Sequence, residues 1–149
     1  MMTDRIFVDT NVLIYGRDAR QPDKRILAQN WVLGLGARNT ACINMQVLNE
    51  LTRWILKNER HRPLADVKQE IETLRVWGDK PVGDGELAVA WAVRDALSYQ
   101  WFDCLLIAAA HNQGCRYFLT EDMPHGASFQ GVTLIDPFRL SPDDLFPRN

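Results

Sequence analysis

Residues 5–15 read Arg5-Ile6-Phe7-Val8-Asp9-Thr10-Asn11-Val12-Leu13-Ile14-Tyr15, and the fold follows from how this stretch divides. Ile6, Phe7 and Val8 form an unbroken apolar run. A short run of this kind reads as a strand buried on both faces, so a strand is expected over Arg5–Asp9. Asp9-Thr10-Asn11 then supplies polar residues suited to starting a helix, and Val12–Tyr15 is apolar again.

The same alternation continues outward. Pro22 fits the first turn of a helix running to about Leu35, because its missing N–H is not needed there, and Gly34 and Gly36 are expected to stop that helix. Ala41–Ile43 reads as a second strand. Asn44 is the expected N-cap of a helix from Met45 to about Glu59, in which Val47, Leu48, Leu51, Ile55 and Leu56 recur at helical spacing. Pro63 opens an amphipathic helix to about Trp77, with Leu64, Val67, Ile71 and Leu74 on its apolar face. Lys80–Val82 reads as a short strand. Asp84 is expected to cap the helix holding Leu87, Val89, Ala90, Trp91, Val93 and Ala96. Phe102–Asn112 is apolar nearly throughout and so reads as a central helix, with Gly114 as its stop. Tyr117–Leu119 and Val132–Ile135 complete the strands. Short apolar strands alternating with helices predict an α/β/α sandwich with a short, mostly parallel central sheet. At 149 residues a single domain is expected, with a core over about residues 5–138 and a tail over 139–149.

The composition, 46% hydrophobic and 24% charged, is ordinary for a globular chain. The formal net charge of −2 does not mark a nucleic-acid binder. It is a sum, however, and carboxylates gathered around a metal lower the total while a basic rim persists. Cys42, Cys104 and Cys115 are odd in number and show no C-x-x-C spacing, so they read as small buried residues. His61, His111 and His125 show no zinc-ligand spacing. The N-terminus lacks a basic region followed by a long apolar run, and no apolar stretch approaches a membrane span, so a cytoplasmic protein with no membrane partner is expected.

In open parallel sheets ligands bind beyond the carboxyl ends of the strands, and that rule selects four acids. Asp9 follows the first strand. Glu50 lies about two turns into the helix after the second, Asp103 near the start of the central helix, and Asp122 three residues after the Tyr117–Leu119 strand. Each has an ordinary explanation beside the functional one. Asp9, Asp103 and Asp122 could cap helices or sit in loops, and Glu50, bordering the buried stripe, could pair with Arg53 at i+3. Together they say more. Carboxylates crowded at one sheet edge repel one another and lose solvation, and a divalent cation relieves both costs. Magnesium suits such a site, since it takes oxygen ligands, often one or two carboxylates and several waters. Its chemistry there is activation of water for in-line attack on a phosphodiester.

The motifs resemble those of a known family. FVDTNVLIY at 7–15 looks like the opening motif of PIN-domain nucleases, especially the VapC-type toxins of toxin–antitoxin pairs. QVLNEL at 46–51 is similar to their second motif, WFDCLLIAAA at 101–110 to the third, LTED at 119–122 to the fourth, and GVTLIDPF at 131–138 to their final strand and tail. The likeness spans about Ile6 to Phe138. It implies the PIN fold, dependence on Mg²⁺ or Mn²⁺, endonucleolytic cleavage of RNA, a homodimer, and neutralisation by a cognate antitoxin protein. Carried over by position, Asp9, Glu50, Asp103 and Asp122 are the catalytic acids, with Asp9 and Asp103 on the metal and Glu50 and Asp122 on it directly or through water. Thr10, Asn11 and Thr120 match the supporting polar positions. Asn44 stands where Ser or Thr is common and Cys104 where Ala is common; both leave the acids untouched. Glu121 beside Asp122 leaves two residues for the fourth position, and the family's Thr-x-Asp spacing favours Asp122.

Arg53, Lys57, Arg60, His61 and Arg62 concentrate positive charge downstream of Glu50. This is either a solvated helix end complementing the macrodipole or a phosphate-contacting rim, to which Arg53 and Lys57 would contribute from one helix face. The five tryptophans fall mostly in apolar helical patterns and so read as core or dimer packing rather than base-stacking platforms. The helix after Pro63 packs on the core or forms a groove for an antitoxin helix. Two further readings of the whole chain remain beside the nuclease: a PIN scaffold that binds RNA or protein without cutting, which retention of all four acids disfavours, and a phosphatase with Asp9 as nucleophile, whose D-x-D-x-T loop is absent.

Overall fold

The three residues of β1 (Ile6–Val8) are at most 1% exposed, as a strand walled by helices on both faces must be. The computed structural model describes residues 4–146. Residues 1–3 of the segment read for a leader, and 147–149 of the expected tail, lie outside the described residues. After β1 the chain runs through α1 (Thr10–Tyr15), α2 (Pro22–Arg38), β2 (Ala41–Cys42), α3 (Met45–Asn58), α4 (Leu64–Leu74), a 3₁₀ turn (Arg75–Trp77), α5 (Asp84–Leu97), α6 (Trp101–Asn112), β3 (Tyr117–Leu119), β4 (Ser128–Phe129), β5 (Val132–Ile135) and α7 (Pro142–Leu145). The architecture is the expected α/β/α sandwich.

The sheet order is β2-β1-β3-β5-β4. β1 lies parallel to β2, with Phe7 opposite Cys42, and parallel to β3, with Phe7 opposite Phe118 and Val8 opposite Leu119. β3 is parallel to β5, with Leu119 opposite Ile135. The Phe7 and Phe118 rings stack across the central pair at 5.4 Å. Consecutive buried positions of α6, Cys104 through Ala110, cover the sheet, which explains why that helix shows no polar face over those residues.

Several elements depart from expectation. α2 does not stop at Gly34 and Gly36 but continues to Arg38 and ends at Asn39, which takes the left-handed conformation. Glycine costs a helix only about 1 kcal/mol relative to alanine, and packing overrides it. At Gly34 a Cβ would come within 3.1 Å of Pro142, so the glycine lets α7 lie close against α2. Lys80–Val82 forms no strand. Instead Trp77 and Lys80 offer their carbonyls to the N–H groups of Ile43 and Met45, and Pro81 has no N–H to extend the pairing. Gly78 makes that approach possible: its φ is +139°, and a Cβ there would fall 2.2 Å from the Ile43 carbonyl oxygen. α5 is capped by Gly83, with Asp84 in its first turn, where a negative charge complements the helix dipole. β4 is an additional strand, antiparallel to β5 through a tight turn in which Gln130 and Gly131 both have positive φ.

Two expectations about caps hold. The Asn44 side chain accepts from the Val47 N–H at 3.1 Å, and Gly114, with φ +74°, follows the end of α6. All three cysteines are buried and free.

Candidate active site

The ladders of the central strands run one residue past β1 and β3. The Asp9 N–H donates to the Leu119 carbonyl and the Thr120 N–H to that of Ile135, both within hydrogen-bonding distance at 3.0 and 2.9 Å. Asp9 and Thr120 are therefore adjacent at the carboxyl end of the sheet. The Thr120 hydroxyl donates to Asp9 Oδ2 at 2.8 Å, and the Asn11 amide lies 3.2 Å from the same oxygen. Asn11 Nδ2 also reaches Asp122 Oδ2 at 2.8 Å, and the Asp122 N–H donates to Thr120 Oγ1 at 3.2 Å. One amide and one hydroxyl thus join two acids that stand more than a hundred residues apart.

Asp9, Glu50, Asp103 and Asp122 all line one cleft of about 410 Å³, together with Thr10, Asn11 and Gln46. Asp122 lies in the loop after β3, whereas the ordinary explanations for the other three find no support. Asp9 occupies the N-cap position of α1 but makes no capping hydrogen bond. Asp103, in the first turn of α6, makes none either. Glu50 accepts from Gln46 Nε2 at 2.9 Å and forms no ion pair with Arg53. It lies on the exposed rim of the cleft rather than at a buried border, because α3 turns its apolar stripe, Val47, Leu48, Leu51 and Ile55, the other way.

Crowding shows in the electrostatics. Burial pushes the Asp9 carboxyl up to about 7; the Thr120 hydrogen bond opposes that rise, and repulsion from Asp103, Asp122 and Glu50 adds to it. Burial, then Asp122 and Glu50, also raises Asp103. Two carboxyls, Asp9 and Asp103, held toward neutrality by burial and by neighbouring acids are ones that a cation would stabilise. Thr10 Oγ1, Asn11 Oδ1 and Gln46 Oε1 are buried without a hydrogen-bond partner, so the cleft wall carries oxygens with capacity to spare. Among the described residues no three His, Cys, Asp or Glu side chains converge closely enough to hold an ion by themselves. The donor set fits an ion of the magnesium kind, which keeps several waters and takes one or two carboxylates directly.

Glu121 does not line this cleft. Its carboxylate pairs with the Lys24 ammonium on α2 and accepts from the Tyr15 hydroxyl. Arg53 and Lys57 are exposed and line the acid cleft beside Trp54, whereas Arg62 is engaged by Glu59 and Glu70. Gln46, which opens the QVLNEL motif, touches Glu50 and lines the cleft, a role the motif resemblance did not assign to it. Its place one turn before Glu50 on α3 was the available signal. Of the tryptophans, Trp31 is core, donating to the Pro137 and Leu140 carbonyls, and Trp91 is 64% exposed.

Residues 6–123 match the sequence profile of the PIN domain. The chain belongs to the PIN-domain family. No curated protein matches the sequence. Solved PIN-like structures resemble it in fold at low identity. A chain of a toxin–antitoxin complex from Klebsiella pneumoniae is 16% identical, with a TM-score of 0.61 over 89% of this chain and 97% of that one. VapBC2 from Rickettsia felis, bound to a promoter DNA fragment, gives 15% identity and a TM-score of 0.58 over 87% and 96%. VapC20 of Mycobacterium tuberculosis, a toxin that cleaves the sarcin–ricin loop, gives 21% and 0.50 over 76% and 86%. This PIN chain therefore shares its fold with the matched chains of those structures, and among its described residues no helix is long and apolar enough to cross a membrane.

Proposed function

We propose that this PIN-domain protein is a Mg²⁺- or Mn²⁺-dependent endoribonuclease and the toxin of a type II toxin–antitoxin pair, acting in the cytoplasm. The observation that carries the nuclease reading is the convergence of Asp9, Glu50, Asp103 and Asp122 on one cleft, with Asp9 held near a pKa of 7 by burial and by its neighbours.

Asp9 and Asp103 would hold the ion, with Glu50 and Asp122 binding it directly or through water. When bound, the ion supplies an activated water and neutralises charge developing on the phosphodiester. Thr120 and Asn11 fix the Asp9 carboxylate and favour its charged form by donating to it. Asn11 keeps Asp122 in the same constellation. Gln46 steadies Glu50 on the rim. Arg53 and Lys57 would contact phosphates flanking the scissile bond, which orients the strand without reading its sequence.

The toxin reading is supported by the similarity to toxin–antitoxin structures and by an apolar groove of about 710 Å³ that includes Leu13, Val32, Leu33, Leu74 and Val76, from α1, α2, α4 and the 3₁₀ turn. Leu33 and Val76 are 71% and 84% exposed, and an amphipathic antitoxin helix would cover them. A homodimer is supported by exposed Val82, Leu87, Trp91 and Phe102 around α5 and α6. Purified protein incubated with structured RNA should cleave it internally in Mg²⁺ and stop when the ion is chelated. Persistent cleavage in excess chelator would overturn the proposal.

A further inference from the structure

The geometry points to Lys24 as a positioning residue for the acid cluster, acting through Glu121; this inference rests on the nuclease reading. Glu121 sits between Thr120, which donates to Asp9, and Asp122, which accepts from Asn11. Its own carboxylate is held by Lys24 from α2 and Tyr15 from α1. Lys24 is itself confined: its ammonium lies 4.9 Å from the Tyr15 ring centre and 5.1 Å from that of Phe138. Those two rings meet edge to face at 5.3 Å. The ammonium is thus boxed by two aromatic rings, an arrangement that favours a cation.

Lys24 does not line the acid cleft, so its route to the cluster runs through Glu121. Its effect falls on the segment Thr120-Glu121-Asp122. It anchors the middle residue, so that the flanking Thr120 and Asp122 keep the hydrogen bonds that build the site. A partly exposed pair of this kind contributes little to global stability, so its loss should register in the site rather than in the fold.

The test is calorimetric titration of the metal-free full chain with Mn²⁺, with circular dichroism to verify folding. Lys24→Met should weaken Mn²⁺ binding by about tenfold, the range seen when a group that orients a metal ligand is removed. Lys24→Arg keeps the charge and should restore binding to within about twofold of wild type. The double variant Lys24→Met/Glu121→Gln should bind no more weakly than Lys24→Met alone, since both changes break one linkage. Should Lys24→Met fail to fold, Tyr15→Phe removes only the hydroxyl that holds Glu121 and should weaken Mn²⁺ binding by about threefold. Unchanged Mn²⁺ affinity in the folded Lys24→Met protein, or in Tyr15→Phe where that protein does not fold, would overturn the inference, as would additive effects in the double variant. Failure of the wild type to bind Mn²⁺ would instead remove the nuclease reading beneath it.

Discussion

The Thr120 hydroxyl donates to Asp9 Oδ2 at 2.8 Å across 111 residues of sequence, fastening the carboxyl end of β3 to that of β1. The bond opposes the burial that raises Asp9 toward neutrality. Thr120→Val keeps the volume and removes the donor. Metal affinity and cleavage should fall by roughly ten- to a hundredfold, with Thr120→Ser close to wild type. Equal loss in both variants would show that the methyl group, and not the hydroxyl, matters.

Asp9 also makes metal-free stability depend on pH. Its folded pKa is raised from the ordinary 3.8 to about 7, so between those values the folded state binds the proton and the unfolded chain does not. Stability therefore falls as pH rises through that window, by at most roughly 4 kcal/mol from this group, and is lowest above pH 7. Denaturant unfolding without metal should show this decline, and Asp9→Asn should flatten it. Added Mn²⁺ should restore stability at high pH.

Two glycines should respond in opposite senses. At Gly36, inside α2, an added Cβ meets nothing closer than Trp77 at 3.8 Å, so Gly36→Ala should stabilise the protein by about 1 kcal/mol. Gly78→Ala combines a positive φ with a 2.2 Å clash against the Ile43 carbonyl and should cost about 3 kcal/mol. Thermal midpoints measured side by side decide both signs.

Arg53 and Lys57 should act on RNA through charge alone. Neutralising both with glutamine should reduce the salt slope of RNA binding by about 1.4 for a single strand, if each contacts one phosphate. Fluorescence anisotropy over a salt series reads this directly, and an unchanged slope would assign them to the solvent.

The strands and helices that carry three of the acids were legible because burial on both faces leaves β1 and α6 apolar, and because Asn44 marks the start of α3. The rule that ligands gather at strand carboxyl ends placed Asp9 and Asp122 together before any distance was known. What local pattern could not show was set by partners far along the chain. Gly34 sits inside α2, where it leaves room for Pro142, and Lys80 stays out of the sheet although it supports Met45. β4 is two residues long, too short for a period. Glu50 sits on the rim, which the helical spacing alone did not separate from the border of the buried stripe. The link from Lys24 to Glu121 crosses 97 residues and leaves no trace in either neighbourhood.

The central claim is that the acid cleft performs metal-dependent RNA hydrolysis, and single-turnover cleavage by Asp9→Asn tests it most directly. Substituting asparagine keeps the shape of a buried side chain whose protonated form the fold already tolerates. The variant should fold as the wild type does and lose at least about a thousandfold in Mg²⁺-dependent cleavage rate. Cleavage at the wild-type rate by a folded Asp9→Asn protein would contradict the account.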